Sequence, residues 1–190
     1  MPRVYVAMLR GINVGGHNKV PMKDLAVMFA DAGCEKLQTY IQSGNVIFQA
    51  SAATAGKVPD AVGALMRKKL GLQVPIVLRS AEDMAAVSAA NPLLLAGAPE
   101  DELHVSFLAD APRKEQVDLL DPDRSPPDEF RVIGREVYLR LPNTVAKTKL
   151  TNAYFDSKLA TVSTQRNWRT VIKLVELTRA STLAEKNKQS

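Results

Sequence analysis

The spacing of apolar residues predicts a regular series of strands and helices in the first eighty positions. Val4 to Leu9 is a short apolar run of the kind that forms a buried strand. Apolar residues at helical spacing follow, between Pro21, which suits a first helical position, and Gly33, which suits a helix end. The predicted order is a strand at 4–9, a helix at 21–32, strands at 37–41 and 45–49, a helix at 58–70 and a strand at 74–78.

The second half of the chain repeats this order. The predicted segments are a helix at 80–90, an apolar connector at 93–99, a strand at 103–108, a helix at 112–120, strands at 130–133 and 136–141, a helix at 149–160, a strand at 161–163 and a closing helix at 165–179. Two successive β-α-β-β-α-β patterns predict an α+β protein made of two ferredoxin-like halves packed together, with a linking helix and a C-terminal helix. The predicted boundaries are 1–79, a linker at 80–101, 102–180 and a flexible tail at 181–190.

The composition is typical of a protein with a buried core and without a membrane-spanning segment. The 190 residues are 46% apolar, which suffices for a buried core. We find no apolar run near 18 residues and no signal-peptide pattern at the N-terminus, so we expect neither a membrane span nor export. A single cysteine, Cys34, excludes an internal disulfide and favours a cytoplasmic setting, with the side chain as a small buried filler.

The net charge of +5 conceals an uneven distribution. Residues 1–80 carry 10 Lys and Arg against 4 Asp and Glu, residues 81–130 carry 3 against 12, and residues 131–190 carry 12 against 4. The two basic segments can form a positive surface for an anionic partner, or they can neutralise the acidic segment within the protein. Both interpretations stay open.

The stretch from Arg10 to Lys19 is the first candidate site. Three glycines allow backbone N–H groups to face a ligand, and the predicted helix that follows adds the positive end of its dipole. The stretch is not a Walker A motif, because His17 stands where that motif needs lysine. Glycine richness alone is also typical of a wide turn between a strand and a helix.

Two further polar segments are candidates. Residues 164–169 are predicted to begin the closing helix, capped by Ser163 or Thr164, with two arginines in a first turn that favours anions. Trp168 lies on the apolar stripe of that helix and is expected in the core. The third candidate, at 42–45, is a hairpin turn whose polar residues also suit plain turn chemistry.

Catalytic and metal-binding patterns are poorly represented. The two histidines are His17, the better candidate for acid–base chemistry, and His104, which alternates within a predicted strand and is expected to be structural. There is no H-E-x-x-H or C-x-x-C pattern, so we expect no zinc site. The predicted strands also lack the aromatic pattern of an RNA recognition motif. No cofactor is indicated, and catalysis stays open.

Three stretches of the chain resemble a bacterial protein family. They are Leu9 to Gly16 (LRGINVGG), Tyr40 to Val46 (YIQSGNV) and Thr164 to Trp168 (TQRNW). Together they are similar to the signature stretches of domain of unknown function 1697, in the same order, over residues 3–179. The resemblance implies an α+β fold with two ferredoxin-like parts and no established activity, substrate or cofactor. Arg169 stands where many relatives have Asn.

The leading functional hypothesis joins the three segments in one composite site. The expected ligand is an anionic small molecule bearing phosphate, such as a nucleotide, or a nucleic acid. The alternative is a non-catalytic interaction or self-associating protein in which the motifs stabilise turns and the interface between the halves. No membrane partner is expected, and the oligomeric state is open. The proposed ligand-binding residues are Arg10, Gly11, Asn13, Gly15, Gly16, Lys19, Gln42, Ser43, Asn45, Arg166 and Asn167.

Overall fold

The computed structural model describes residues 2–16 and 18–186, and it shows an α+β protein with two four-stranded antiparallel sheets. The chain divides into two compact units, which we describe separately. The N-terminal unit comprises Met1–Ala85 together with Lys173–Ser190, and the central unit comprises Ala86–Ile172. Both boundaries fall inside helices, near residues 85 and 172.

The sheet of the N-terminal unit contains β1 (Arg3–Leu9), β2 (Glu35–Tyr40), β3 (Asn45–Ala50) and β4 (Ile76–Ser80) in the order β2-β3-β1-β4. Its helices before β4 are α1 (Met22–Asp31), α2 (Ala52–Ala55) and α3 (Val58–Leu70). One face of the sheet packs on α1 and α3, where side chains such as Leu9, Phe29 and Met66 are fully buried. All elements predicted for this part are confirmed, and α2 is an addition.

Local sequence signals explain where these elements end. Gly33 and Gly71 follow α1 and α3 with φ angles of 84° and 66°, in the left-handed region that favours glycine. The short helix α2 begins at Ser51, whose hydroxyl accepts a hydrogen bond from the Thr54 N–H at 3.1 Å. Pro75 precedes β4, and β4 is an edge strand as that proline predicts.

The sheet of the central unit contains β5 (Leu103–Leu108), β6 (Glu129–Ile133), β7 (Glu136–Arg140) and β8 (Ser163–Asn167) in the order β6-β7-β5-β8. Gly134, with a φ of 59°, begins the predicted two-residue turn between β6 and β7. The helices of the second half are α4 (Ala81–Ala89), α5 (Pro92–Leu95), α6 (Lys114–Val117), α7 (Asn152–Leu159) and α8 (Trp168–Lys186).

Three helical segments differ from the sequence-based prediction. The closing helix, predicted at 165–179 before a flexible tail from residue 181, is α8, which begins at Trp168 and continues to Lys186. The apolar connector at 93–99 contains part of α5, because the Asn91 side chain accepts hydrogen bonds from the Leu93 and Leu94 N–H groups and nucleates a turn. The helix predicted at 112–120 is reduced to α6. After Val117 the amides of Leu119 and Leu120 bond to carbonyls three residues back, and these tighter turns end the helix.

Both strand orders are consistent with ferredoxin-like halves. The predicted capping box before α4 is confirmed by reciprocal hydrogen bonds of 3.0 Å between Ser80 and Asp83. Within the described part of the chain, no helix is both long enough and apolar enough to cross a bilayer.

Candidate functional site

The glycine loop leaves β1 in a fixed position. The Leu9 N–H donates to the Gly44 carbonyl at 2.8 Å, and the next amide, that of Arg10, donates to the Pro75 carbonyl at 3.0 Å. The amides of two successive residues therefore bond the end of β1 to the hairpin turn on one side and to the residue before β4 on the other. Ile12 is fully buried in the core cluster below and anchors the loop from underneath.

Asn13 fastens the loop to the hairpin that follows β2. Its amide nitrogen, Nδ2, donates to the Val20 carbonyl and to the Gln42 carbonyl, both at 2.9 Å. Its oxygen, Oδ1, accepts from the Val20 N–H at 2.8 Å. The residue has a φ of 54°, a conformation that asparagine tolerates better than most residues. The Asn13 side chain thus bonds within the protein, where the sequence-based hypothesis had it orient a ligand.

The hairpin turn at 41–44 fits closely against the end of β1. Gly44 has a φ of 78°, and a Cβ placed there would lie 2.8 Å from the Leu9 Cβ and 2.9 Å from side-chain atoms of Ile12. Both the backbone conformation and the lack of space therefore require glycine at position 44. In the same turn, Asn45 is fully buried, and its Nδ2 donates to the Tyr40 carbonyl at 3.3 Å and the Ser43 hydroxyl at 3.1 Å.

These contacts bring two of the three predicted segments together. We call the combination of residues 10–19 and 41–45 the loop–hairpin junction. Asn18 strengthens it, because its Nδ2 donates to the Gly11 carbonyl at 3.0 Å. The exposed residues of the junction among those described are Gly11, Val14, Gly15, Gly16, Asn18, Lys19, Ile41 and Gln42, while Arg10, Asn13 and Ser43 are half-buried.

The junction presents cationic groups beside a glycine tip. Lys19 is exposed, and Arg10 stands where the loop leaves the sheet. Gly15 and Gly16 form the exposed tip with φ angles of 57° and 80°, so no Cβ shields their amides. Such an arrangement can hold an anion through side-chain charge and backbone donors. His17, the candidate for acid–base chemistry, lies outside the described residues.

Sequence reasoning did not single out Lys173, an exposed cation of α8 whose ammonium pairs with Glu176 at 2.9 Å. The pKa of Lys173 on α8 is raised, chiefly by its hydrogen bond to Glu176 and that carboxylate's charge, and to a smaller extent by the Tyr40 hydroxyl. Tyr40 immediately precedes the turn at 41–44, and Lys173 belongs to the same unit. No sequence signal links residues so far apart, although the acidic and basic pattern along α8 was visible.

The third predicted segment has a different structure from the one expected. Residues 163–167 form β8, and α8 begins at Trp168, so Arg166 does not lie in a first helical turn. The strand continues because β5 offers it a partner along its whole length, with Val105 opposite Arg166. The predicted caps, Ser163 and Thr164, are also wrong, because the Asn167 Oδ1 accepts from the Thr170 N–H at 2.8 Å.

Arg166 is half-buried on β8. Its guanidinium donates to the Thr164 hydroxyl at 2.9 Å and to the Gln165 carbonyl at 2.8 Å. Burial lowers the pKa of Arg166 to about 10, because desolvation disfavours its charged form. Both Arg166 and Asn167 belong to the central unit, so their participation in one site with the loop–hairpin junction stays a prediction.

The remaining candidates have internal positions. Trp168 is 1% exposed, as a core role requires. His104 is buried on β5, and desolvation lowers its pKa despite a contact with the Glu102 carbonyl. Cys34 is a buried filler as predicted, and burial raises the pKa of its thiol to about 11. Within residues 2–16 and 18–186, no three His, Cys, Asp or Glu side chains are placed to hold a metal ion.

Comparisons with known proteins find a family of unknown function and a solved structure with a similar fold. Residues 2–138 match the model of a family described as "Protein of unknown function (DUF1697)". The fold is similar to that of conserved bacterial protein SP0830 from Streptococcus pneumoniae, with a TM-score of 0.69 and 22% identity. That similarity covers 94% of this chain and 99% of the other, and it concerns the fold alone. No protein of curated function matches the chain.

Proposed function

Because the family model matches well over half of its residues, the chain belongs to the DUF1697 family, and we propose that it binds an anionic, phosphate-bearing ligand at the loop–hairpin junction. That ligand is a nucleotide or a nucleic acid. The observation that carries the proposal is the pair of Asn13 hydrogen bonds to Val20 and Gln42. They hold the glycine tip, Arg10 and Lys19 beside the hairpin. The proposed location of the protein is the cytoplasm.

Charge supports an anion as the ligand. Residues 1–80 carry a net charge of +6, and they include Arg10 and Lys19 of the junction. Clustered positive charge raises the local concentration of anions and speeds their association. The exposed amides of Gly15 and Gly16 add donors that suit phosphate oxygens. On the basis of the sequence, Arg166 and Asn167 remain part of the proposed composite site. The packing together of two ferredoxin-like halves is a second part of the proposal with the same basis.

A second candidate function is a non-catalytic interaction protein, and specific contacts favour it. Three signature asparagines, Asn13, Asn45 and Asn167, use their side chains to bond the protein's own backbone. A signature built from such residues preserves the fold whether or not a ligand is present. Under this alternative the junction stabilises turns, and no specific anion binding depends on its exposed cations.

The test compares two exposed lysines of the N-terminal unit. Lys19 lies in the junction, whereas Lys57 lies at the start of α3 and outside it. The full chain and the variants Lys19→Glu and Lys57→Glu are titrated with pyrophosphate and with a twelve-nucleotide single-stranded oligonucleotide. We expect Lys19→Glu to weaken binding at least tenfold and Lys57→Glu to change it less than twofold. Equal losses in both variants, or no binding by the full chain, would refute the proposal.

A simpler observation separates the ligand classes. The ultraviolet absorbance ratio of the purified protein, with mass spectrometry of any co-purifying molecule, distinguishes nucleotide from nucleic acid. A nucleic acid gives a high ratio at 260 nm together with a heterogeneous mass. A nucleotide gives one defined small mass. Protein that carries no anion and binds neither probe supports the interaction protein.

A further inference from the structure

Three of the four edge strands share one arrangement of an arginine. Arg79 on β4, Arg131 on β6 and Arg166 on β8 each donate a hydrogen bond from Nη1 to the carbonyl of the preceding residue. The distances are 2.7, 2.7 and 2.8 Å. Both sheets therefore place a guanidinium over an edge carbonyl. An open edge is otherwise a template for a further strand, so charge at that position protects it.

The register shows that the covered carbonyl on β6 points to the open side. The Leu108 N–H donates to the Arg135 carbonyl, so alternate residues of β7, beginning with Val137, turn their backbones towards β5. Glu136 and Tyr138 consequently face β6, where they pair with Ile133 and Arg131. The main-chain groups of Phe130 and Val132 then point away from β7. Within the described chain, no strand lies on that side of β6.

Arg131 differs from its two counterparts in its freedom to move. Arg79 is 1% exposed and Arg166 is half-buried, so moving either guanidinium would disturb packed surroundings. Arg131 is exposed on the surface. Its contact with the Phe130 carbonyl can break without a cavity forming. The edges at β4 and β8 are therefore closed, whereas the edge at β6 can open.

A cavity lies beside this edge. It has a volume of about 250 Å³, and its lining includes Phe130, Arg131 and the prolines Pro122, Pro126 and Pro127. Apolar walls of this kind accept an aliphatic side chain projecting from an added strand. The lining also contains three carboxylates. Asp123 is exposed, Asp128 accepts a hydrogen bond from the Ser125 hydroxyl at 2.7 Å, and Glu129 pairs with Arg140 at 2.9 Å.

We propose that the edge of β6 is a docking site for an extended, basic peptide segment of another protein, and that Arg131 is its displaceable cover. The peptide adds as a fifth strand, bonding to the main chain of Phe130 and Val132. An aliphatic side chain enters the cavity between the prolines. Neighbouring lysine or arginine side chains face Asp123 and Asp128, the carboxylates of the lining that no ion pair neutralises within the described residues.

The test uses a capped six-residue peptide of alternating valine and lysine, titrated into the full chain by NMR. The expected result is a saturable shift and slower amide exchange at Phe130 and Val132. Two matched peptides act as controls. Glutamate in place of lysine should weaken binding at least tenfold, and N-methylation of alternate residues should abolish it because strand bonding is lost. Equal binding by all three peptides, or no binding, would overturn the proposal.

Variants of the protein test the edge itself. Val132→Pro removes an outward N–H while leaving the β6–β7 pairing available, and it should abolish binding with the amides of Glu136 and Tyr138 still protected. Arg131→Ala uncovers the Phe130 carbonyl and should tighten binding about threefold to tenfold. Arg113→Ala, which removes an exposed arginine outside β6, controls for the change in charge. Weaker binding in Arg131→Ala, or unchanged binding in Val132→Pro, would contradict the proposed role of the edge.

Discussion

At the scale of single residues, the sequence identified important positions better than it identified their tasks. Asn13 belongs to the signature, but its side chain bonds to Val20 and Gln42, which are 7 and 29 residues away. No local pattern reveals which distant carbonyls an amide will meet. Trp168 and Cys34 were predicted correctly as core residues, because burial follows from residue type more directly than hydrogen bonding does.

Alanine substitution of two glycines separates backbone strain from crowding. Gly44 and Gly11 have φ angles of 78° and 69°, but a Cβ clashes at Gly44 and meets nothing within 4 Å at Gly11. We expect Gly11→Ala to lower the free energy of unfolding by about 1 kcal/mol through strain alone. Gly44→Ala should lower it by about 2–4 kcal/mol because overpacking is added. Urea denaturation measures both, and equal losses would show that the clash relaxes.

Alanine substitutions at Asn13 and Asn18 form a matched pair that measures how much the side-chain hydrogen bonds of Asn13 stabilise the fold. Both have a positive φ, of 54° and 47°, so alanine introduces similar strain at each. Among the described residues, Asn13 makes three side-chain hydrogen bonds to backbone groups, whereas Asn18 makes one, to the Gly11 carbonyl. Asn13→Ala should therefore destabilise the fold by about 1–2 kcal/mol more than Asn18→Ala. A smaller loss for Asn13→Ala, measured by thermal unfolding, would contradict this account.

At the scale of elements, strong periodicity was a reliable guide and short segments were not. The strands β1, β3 and β5 and the helix α3 have continuous apolar or helical patterns, and they lie where predicted. The strand predicted at 161–163 lies instead at Ser163–Asn167, because the polar sequence of β8 has no strand pattern and its conformation depends on hydrogen bonding to β5. α5 and α6 are single helical turns that depend on caps and tight turns. Segments this short differ little in stability from irregular structure, so their sequences do not predict them well.

The cap of α8 gives a prediction at this scale. The Asn167 Oδ1 accepts from the Thr170 N–H, which satisfies one of the first amides of the helix. Asn167→Ala should lower the free energy of unfolding by about 1 kcal/mol, and Asn167→Asp should retain nearly all of the stability because the carboxylate also caps. Chemical denaturation of both variants provides the measurement. Equal losses would mean that Asn167 acts through its amide donor instead.

At the scale of the whole molecule, the uneven charge predicts how binding responds to salt. Arg10 and Lys19 are the arginine and lysine side chains of the junction among the described residues. Two phosphate contacts on a single strand should give a slope of about −1.4 for the logarithm of the association constant against the logarithm of salt concentration. The oligonucleotide titration, repeated at several salt concentrations, checks this value. A flat response would exclude nucleic acid as the ligand.

Burial of Cys34 links the stability of the molecule to alkaline pH. Desolvation raises the pKa of its thiol from 9.0 to about 11 in the folded protein. The folded state therefore keeps a proton that the unfolded state loses, and stability falls as pH rises from about 9 to about 11. The loss should approach roughly 2–3 kcal/mol. Cys34→Ala should remove this part of the decline, and an identical pH profile for both proteins would disprove it.

The direct passage from strand to helix at Ser80 and at Asn167 limits how the protein can be divided. Each residue ends a strand and caps the helix that follows, so no linker separates α4 from β4 or α8 from β8. One inserted residue at either point would rotate the following helix by about 100° relative to its strand. Moreover, the N-terminal unit includes chain from Lys173 onwards, with Leu174 and Thr178 buried. A fragment stopping near residue 80 would therefore lack part of its own unit.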